Sequence, residues 1–148
     1  MRPYLDFSFL IHLVALAGER SRIASGAIQQ FRPPFLIHDL HVLQVENFFR
    51  HTVQRDPHTL PLMKRAAVRW RNHLSELVYE PVEFDWGLAA SRAVAVNRLS
   101  SNWPGTPLAL FHLEAAQLVG STHFLSFDPR QRALAAKAGL QVVPEVLS

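Results

Sequence analysis

Apolar residues along the chain follow two rhythms. Short apolar runs bounded by acids, prolines or glycines predict buried strands, and longer stretches with apolar positions three and four apart predict helices packed by one face. The clearest case is Leu118–Pro144, LVGSTHFLSFDPRQRALAAKAGLQVVP. Thr122–Phe127 is a short apolar run with aromatics, as expected of a strand covered on both faces. Asp128 closes it, and Pro129 opens a helix where a missing N–H costs nothing. The helix runs through Ala133–Ala138 and stops at Gly139, a residue that accepts the left-handed conformation of a helix end. Leu140–Val143 predicts a second strand. Strand, helix and strand in this order predict a parallel pairing.

The same event opens the chain. Pro3–Asp6 predicts a short strand ending in an acid, with Ser8 as the cap of a helix starting near Phe9. After a turn at Gly18 and Glu19, Ser21–Phe31 predicts a second helix weakened by Gly26 and broken by Pro33 and Pro34. Phe35–Ile37 predicts a strand, and a helix follows from about Leu40 to Val53. Asp56-Pro57 predicts a turn, Leu60–Leu77 a helix, and Val78–Phe84 an ambiguous segment with a short strand near Pro81. Trp86–Leu99 predicts a helix and Ser100–Gly105 a loop. Thr106 as N-cap and Pro107 in the first turn predict a helix to Val119. Helices and strands alternate throughout, without internal repeats, which predicts one α/β domain spanning 1–148.

Composition narrows the chemistry. The 148 residues contain no cysteine, which excludes disulfides, thiolate metal sites and cysteine nucleophiles. A hydrophobic fraction of 49% argues for a packed core and against disorder. The formal net charge is +3, with eight histidines in addition. That balance permits nucleic acid as a partner without demanding it. Phe9–Ala17 is strongly apolar but too short to span a bilayer. It carries His12 and follows Asp6, unlike a signal peptide. A cytoplasmic protein without a membrane segment is the expectation.

Ligands of parallel sheets bind at the carboxyl ends of the strands. Asp6 and Asp128 each stand at such an end, so two carboxylates converge on one cleft if their strands are neighbours. Asp128 also has the spacing of a capping box with Gln131. Lys64, Arg65, Arg69, Arg71 and His73 form a basic cluster beside Trp70. Lys64, Arg65 and Arg69 share a helix face, which suits either solvation or phosphate binding. Trp86 and Trp103 are most simply read as packing residues.

YLDFS at the start and FLSFDPRQRALAAKAGLQVV at the end resemble a PIN domain, in particular the VapC-like toxins, and the resemblance extends over nearly the whole chain. It implies a three-layer α/β/α sandwich with a mainly parallel central sheet of four to five short strands. It also implies a Mg²⁺ or Mn²⁺ ribonuclease (a hydrolase of RNA phosphodiesters) of the toxin–antitoxin kind, built on about four acids. RNA, an antitoxin protein and a second copy of the chain are the partners it implies. Asp6 and Asp128 are then the metal ligands, with Ser8 supporting Asp6 and Ser126 preceding Asp128 as a Ser or Thr does in the family.

The family's second acid is a Glu on the helix after the second strand, and two registers compete for it. Family spacing, with Asn47 three residues on, aligns Gln44 with that Glu. Amphipathicity mildly favours Glu46, taken as the catalytic candidate, because it lies nearer the stripe Val42, Val45, Phe48, Phe49 and Val53. The two are roughly 200° apart on a helix, so only one faces a cleft. The third family acid stands three residues before a His. His112 is present, readable as a phosphate contact or as a core residue, but position 109 is Ala. Glu114, roughly 140° around the helix from position 109, does not replace it. Losing two of four carboxylates weakens a hard-cation site. A weak or inactive nuclease is therefore one expectation, and a catalytically degenerate module that binds RNA or protein is the other. A phospho-acceptor receiver domain is excluded by Val143-Pro144-Glu145, which supplies no lysine after the last strand.

Overall fold

The computed structural model describes residues 1–99 and 105–145. The loop expected over Ser100–Gly105 and the packing expected of Trp103 fall largely or wholly outside the described residues. The chain is α/β, with seven α-helices among the described residues and five short strands of a parallel sheet. The strands are β1 (Pro3–Leu5), β2 (Phe35–Ile37), β3 (Tyr79–Pro81), β4 (His123–Leu125) and β5 (Gln141–Val143). The helices are α1 (Phe7–Val14), α2 (Glu19–Ile28), α3 (Asp39–Arg55), α4 (Leu60–Ser75), α5 (Trp86–Leu99), α6 (Pro107–Leu118) and α7 (Pro129–Lys137). The expected fold class is therefore the observed one. No helix is long and apolar enough to cross a membrane among the described residues.

The chain divides into two compact units. The first contains Met1–Asp6 and Val82–Ser148. Its strands lie in the order β1-β4-β5, with Leu5 opposite Leu125 and Leu125 opposite Val143. All three residues of β1 and of β4 are buried. This explains why neither strand alternates between apolar and polar faces, because a parallel strand covered on both faces has no solvent side to alternate toward; the polar member, His123, is buried with the rest. Tyr4 stacks on Phe124 with ring centroids 5.7 Å apart. Gly120 and Gly139 end α6 and α7 with φ +70 and +86, values a Cβ would resist. Phe84, Trp86 and Phe111 pack ring on ring at 4.9 to 6.0 Å where α5 begins, which gives Trp86 the packing role expected of it.

The second unit is Phe7–Pro81. Phe9, Leu10, Ile11 and Val14 bury the inner side of α1, and β2 pairs with β3 through Phe35 opposite Tyr79. Trp70 of α4 is almost wholly buried, with its ring 5.1 Å from that of Tyr79. Burial pushes the Tyr79 phenol up to about 12, so it remains a neutral core group.

Two boundaries differ from expectation for local reasons. Helix α1 begins at Phe7, directly after Asp6, so Ser8 lies inside the first turn and is not its cap. Helix α2 begins at Glu19, directly after Gly18 (φ +105), and ends at Ile28. The left-handed glycine makes the turn, and Glu19 in the first turn complements the helix dipole. Buried Phe31 follows the helix rather than belonging to it.

Candidate functional site

The first unit holds the acids at the ends of its strands. The Asp6 N–H donates to the Leu125 carbonyl at 2.9 Å, so the β1–β4 pairing continues past the last strand residue. This brings Asp6 beside the segment Ser126–Asp128, as adjacent parallel strands require. Asp6 is buried, with 4% exposure. Its Oδ2 accepts a hydrogen bond from the Ser126 hydroxyl at 2.9 Å. The same Ser126 Oγ accepts from the Asp128 N–H at 3.0 Å. One hydroxyl thus spans the two acids, and its proton has an assigned direction. The backbone N–H uses Oγ as an acceptor, so the O–H points at Asp6.

Ser126 is fully buried. Its own N–H donates to the Val143 carbonyl at 3.1 Å, and its carbonyl accepts from Arg132 at 2.9 Å. Ser126 is therefore not a substrate contact. Every polar atom of the residue is engaged inside the protein, and its part is to hold Asp6 and Asp128 in register.

Asp128 is half-buried and caps α7. Its Oδ1 accepts from the N–H groups of Arg130 and Gln131 at 2.9 and 3.4 Å. The second oxygen has no protein donor among the described residues. The reciprocal half of the expected capping box is absent. Ser126 already occupies the Asp128 N–H, so the Gln131 amide turns elsewhere and donates to the Ala109 carbonyl at 2.9 Å. That bond fastens the first turn of α6 to the first turn of α7. It places position 109 next to the helix that Asp128 caps.

Ala109 itself is the third residue of α6, with its N–H accepted by the Thr106 hydroxyl at 3.3 Å. It contributes a methyl group where the family resemblance implies a carboxylate. Glu114 does not substitute for it. The side chain is buried on α6, and burial raises its carboxyl above the usual range, an effect partly opposed by Arg92 of α5. His112 has 1% exposure, and its Nδ1 lies 2.7 Å from the Tyr4 hydroxyl. Burial, and secondarily Asp6, raise the Tyr4 phenol well above its usual value. His112 is thus a hydrogen-bonded core residue, and the reading as a phosphate contact is corrected: no substrate reaches a ring buried this completely.

The remaining candidates lie in the second unit. Helix α3 buries His41, Val45 and Phe49, leaves Gln44 half-buried and exposes Glu46. The expectation that Glu46 lies nearer the buried stripe is overturned, because that stripe starts at His41 rather than at Val42. Gln44 and Glu46 flank its centre at about equal angles, roughly 100° on either side, and the Gln44 side is the covered one.

Sequence reasoning also passed over the pair His38 and His41 at the start of α3. Their rings lie 4.0 Å apart, and the His38 N–H donates to His41 Nδ1 at 3.2 Å. Burial, with His41 adding to it, pushes the His38 imidazole down to about 2. The signal available was the spacing of three between two histidines at a strand-to-helix turn.

Fold and site together define an α/β protein with two carboxylates at the carboxyl ends of adjacent parallel strands. No family model, no curated protein and no solved structure matches the chain.

Proposed function

We propose that the chain is a PIN-like, VapC-like endoribonuclease dependent on Mg²⁺ or Mn²⁺, with activity held low by the methyl group at position 109. The observation that carries this reading is the Asp6–Ser126–Asp128 connection across the ends of β1 and β4. Hard divalent cations take carboxylate oxygens together with waters and substrate phosphate oxygens, and one or two carboxylates suffice for Mg²⁺. Asp6 and the outer oxygen of Asp128 are the donors that fit. A bound cation would supply charge neutralisation at the phosphate and acidify the attacking water.

The chain's own residues do the positioning. Ser126 orients the Asp6 carboxylate, the first turn of α7 orients Asp128, and Gln131 holds the start of α6 against them. RNA, an antitoxin protein and a second copy of the chain are the partners this reading entails. A second reading, a degenerate module that binds RNA or protein without cutting, is favoured by one observation. The Ala109 side chain offers no oxygen at the third position of α6.

Titration with Mn²⁺ and RNA cleavage with and without chelator test the reading on wild type and on Asp6→Asn. Weak Mn²⁺ binding and slow, chelator-sensitive cleavage, both abolished in Asp6→Asn, are expected. Mn²⁺ binding that survives Asp6→Asn would place the cation elsewhere and contradict it.

A further inference from the structure

Helix α4 carries an unneutralised cationic face. Its sixteen residues include Lys64, Arg65, Arg69 and Arg71 and not one Asp or Glu. Four cations and no acid make +4, more than the +3 of the whole chain. The buried side of the helix is Met63, Ala66 and Trp70. On a regular helix the four cations spread over an arc of roughly 160° facing away from that side. All four residues are exposed. Lys64, Arg65 and Arg71 make no ion pair among the described residues, and Arg69 donates to the Val14 carbonyl at 3.3 Å. Solvated basic faces normally interleave acids at three- and four-residue spacing, which stabilises the helix and lowers its field. Within α4 that interleaving is missing.

We infer that the outer face of α4 binds the phosphate backbone of single-stranded RNA through Lys64, Arg65 and Arg71. The inference rests on the reading that RNA is the substrate, but it requires no metal and no cleavage. An anionic membrane is the other polyanion such a face could meet. It fits worse, because an interfacial helix inserts an apolar face. The apolar side of α4 is already covered by the protein. Its exposed apolar residues, Leu60, Leu62 and Val68 at 40%, 47% and 54% exposure, form no contiguous stripe: Val68 lies among the cations and the other two lie at opposite edges of their arc. Binding is through charge, so it is tolerant of sequence and steep in salt.

The experiment is fluorescence anisotropy of a labelled single-stranded RNA with the full chain in EDTA, over a series of NaCl concentrations. The triple variant Lys64→Gln, Arg65→Gln, Arg71→Gln is compared with a control that removes the same charge elsewhere: Arg22→Gln, Arg98→Gln, Lys137→Gln. Circular dichroism checks that both remain folded. Each phosphate contact contributes about 0.7 to the slope of log K against log salt on a single strand. The α4 variant is expected to lose about 2 from the slope at three contacts, while the control keeps the wild-type slope.

Equal losses in both variants would overturn the inference, as would a wild-type slope in the α4 variant. No binding by the wild type at low salt would also overturn it, leaving the cleavage reading to its own assay. Binding of the wild type to phosphatidylserine vesicles but not to RNA would overturn it in favour of the membrane.

Discussion

At the scale of the residue, the Ser126 hydroxyl is the connection on which the candidate site depends. It satisfies a buried carboxylate and a backbone N–H at once. Ser126→Ala leaves both without that partner, and a lost hydrogen bond to a buried charged group costs about 2 kcal/mol. Urea unfolding should show a loss of that order. A change below about 0.5 kcal/mol, the size of an ordinary surface substitution, would contradict the assigned role. Asp128 has two duties that substitution can separate. Asn caps a helix about as well as Asp, so Asp128→Asn should unfold at nearly the wild-type urea concentration while losing Mn²⁺ affinity. Asp128→Ala should lose about 1 kcal/mol of stability as well. The capping duty was legible in the sequence, because Asp-Pro followed by Gln is a start signal. What Gln131 does was not. Its amide goes to Ala109, a residue that only the folded chain brings near, because Ser126 already occupies the backbone group the capping box would use.

At the scale of the element, the strand–helix–strand unit ending the chain was readable nearly residue by residue, since Asp128, Pro129 and Gly139 each carry a local physical meaning. The start of α1 is ambiguous in sequence because two residues, Asp6 and Ser8, carry the same signal, and only packing decides between them. Leu77, just beyond α4, was not readable at all. It is 61% exposed and adopts φ +56, a conformation costly for a residue with a Cβ. Leu77→Gly should stabilise the protein by about 0.5–1 kcal/mol, net of glycine's larger unfolded-state entropy. A lower midpoint in thermal or urea unfolding would contradict the strain.

His38 at the start of α3 sets a pH dependence. Its folded-state value is depressed to about 2 from an ordinary 6.5, so the unfolded chain binds the proton first as pH falls. The contribution is fully present above pH 6.5 and is lost progressively toward about 2. A single such group gives a slope of up to about 1.4 kcal/mol per pH unit. Between pH 6.5 and 5, above most carboxylates, wild-type stability should fall as pH falls. His38→Asn, which puts a non-titrating residue at the N-cap position, should flatten that slope. Parallel pH profiles for the two proteins would contradict the assignment. Glu114 acts with the opposite sign. Its raised carboxyl costs stability when ionised and relieves that cost as pH falls through its folded-state value.

At the scale of the whole molecule, the α/β class and the parallel pairing of β1 with β4 were legible, because alternating helices and buried strands leave few other arrangements. The candidate site was legible only in outline. Asp6 and Asp128 reveal themselves by standing at strand ends. The burial of His112 and the exposure of Glu46 depend on which neighbours cover each helix, and one helical stripe does not encode that. The central claim is that two carboxylates held by Ser126 form a divalent-cation nuclease site short of one acid at position 109. Mn²⁺-dependent cleavage of single-stranded RNA by Ala109→Asp, beside wild type and with a chelator control, tests it most directly. The added carboxylate sits in the first turn of α6, where the helix dipole favours it, next to the helix that Asp128 caps. The account predicts chelator-sensitive cleavage at least about tenfold faster than wild type, equivalent to about 1.4 kcal/mol off the barrier. An unchanged rate in a folded variant, or robust cleavage by the wild type already, would contradict it.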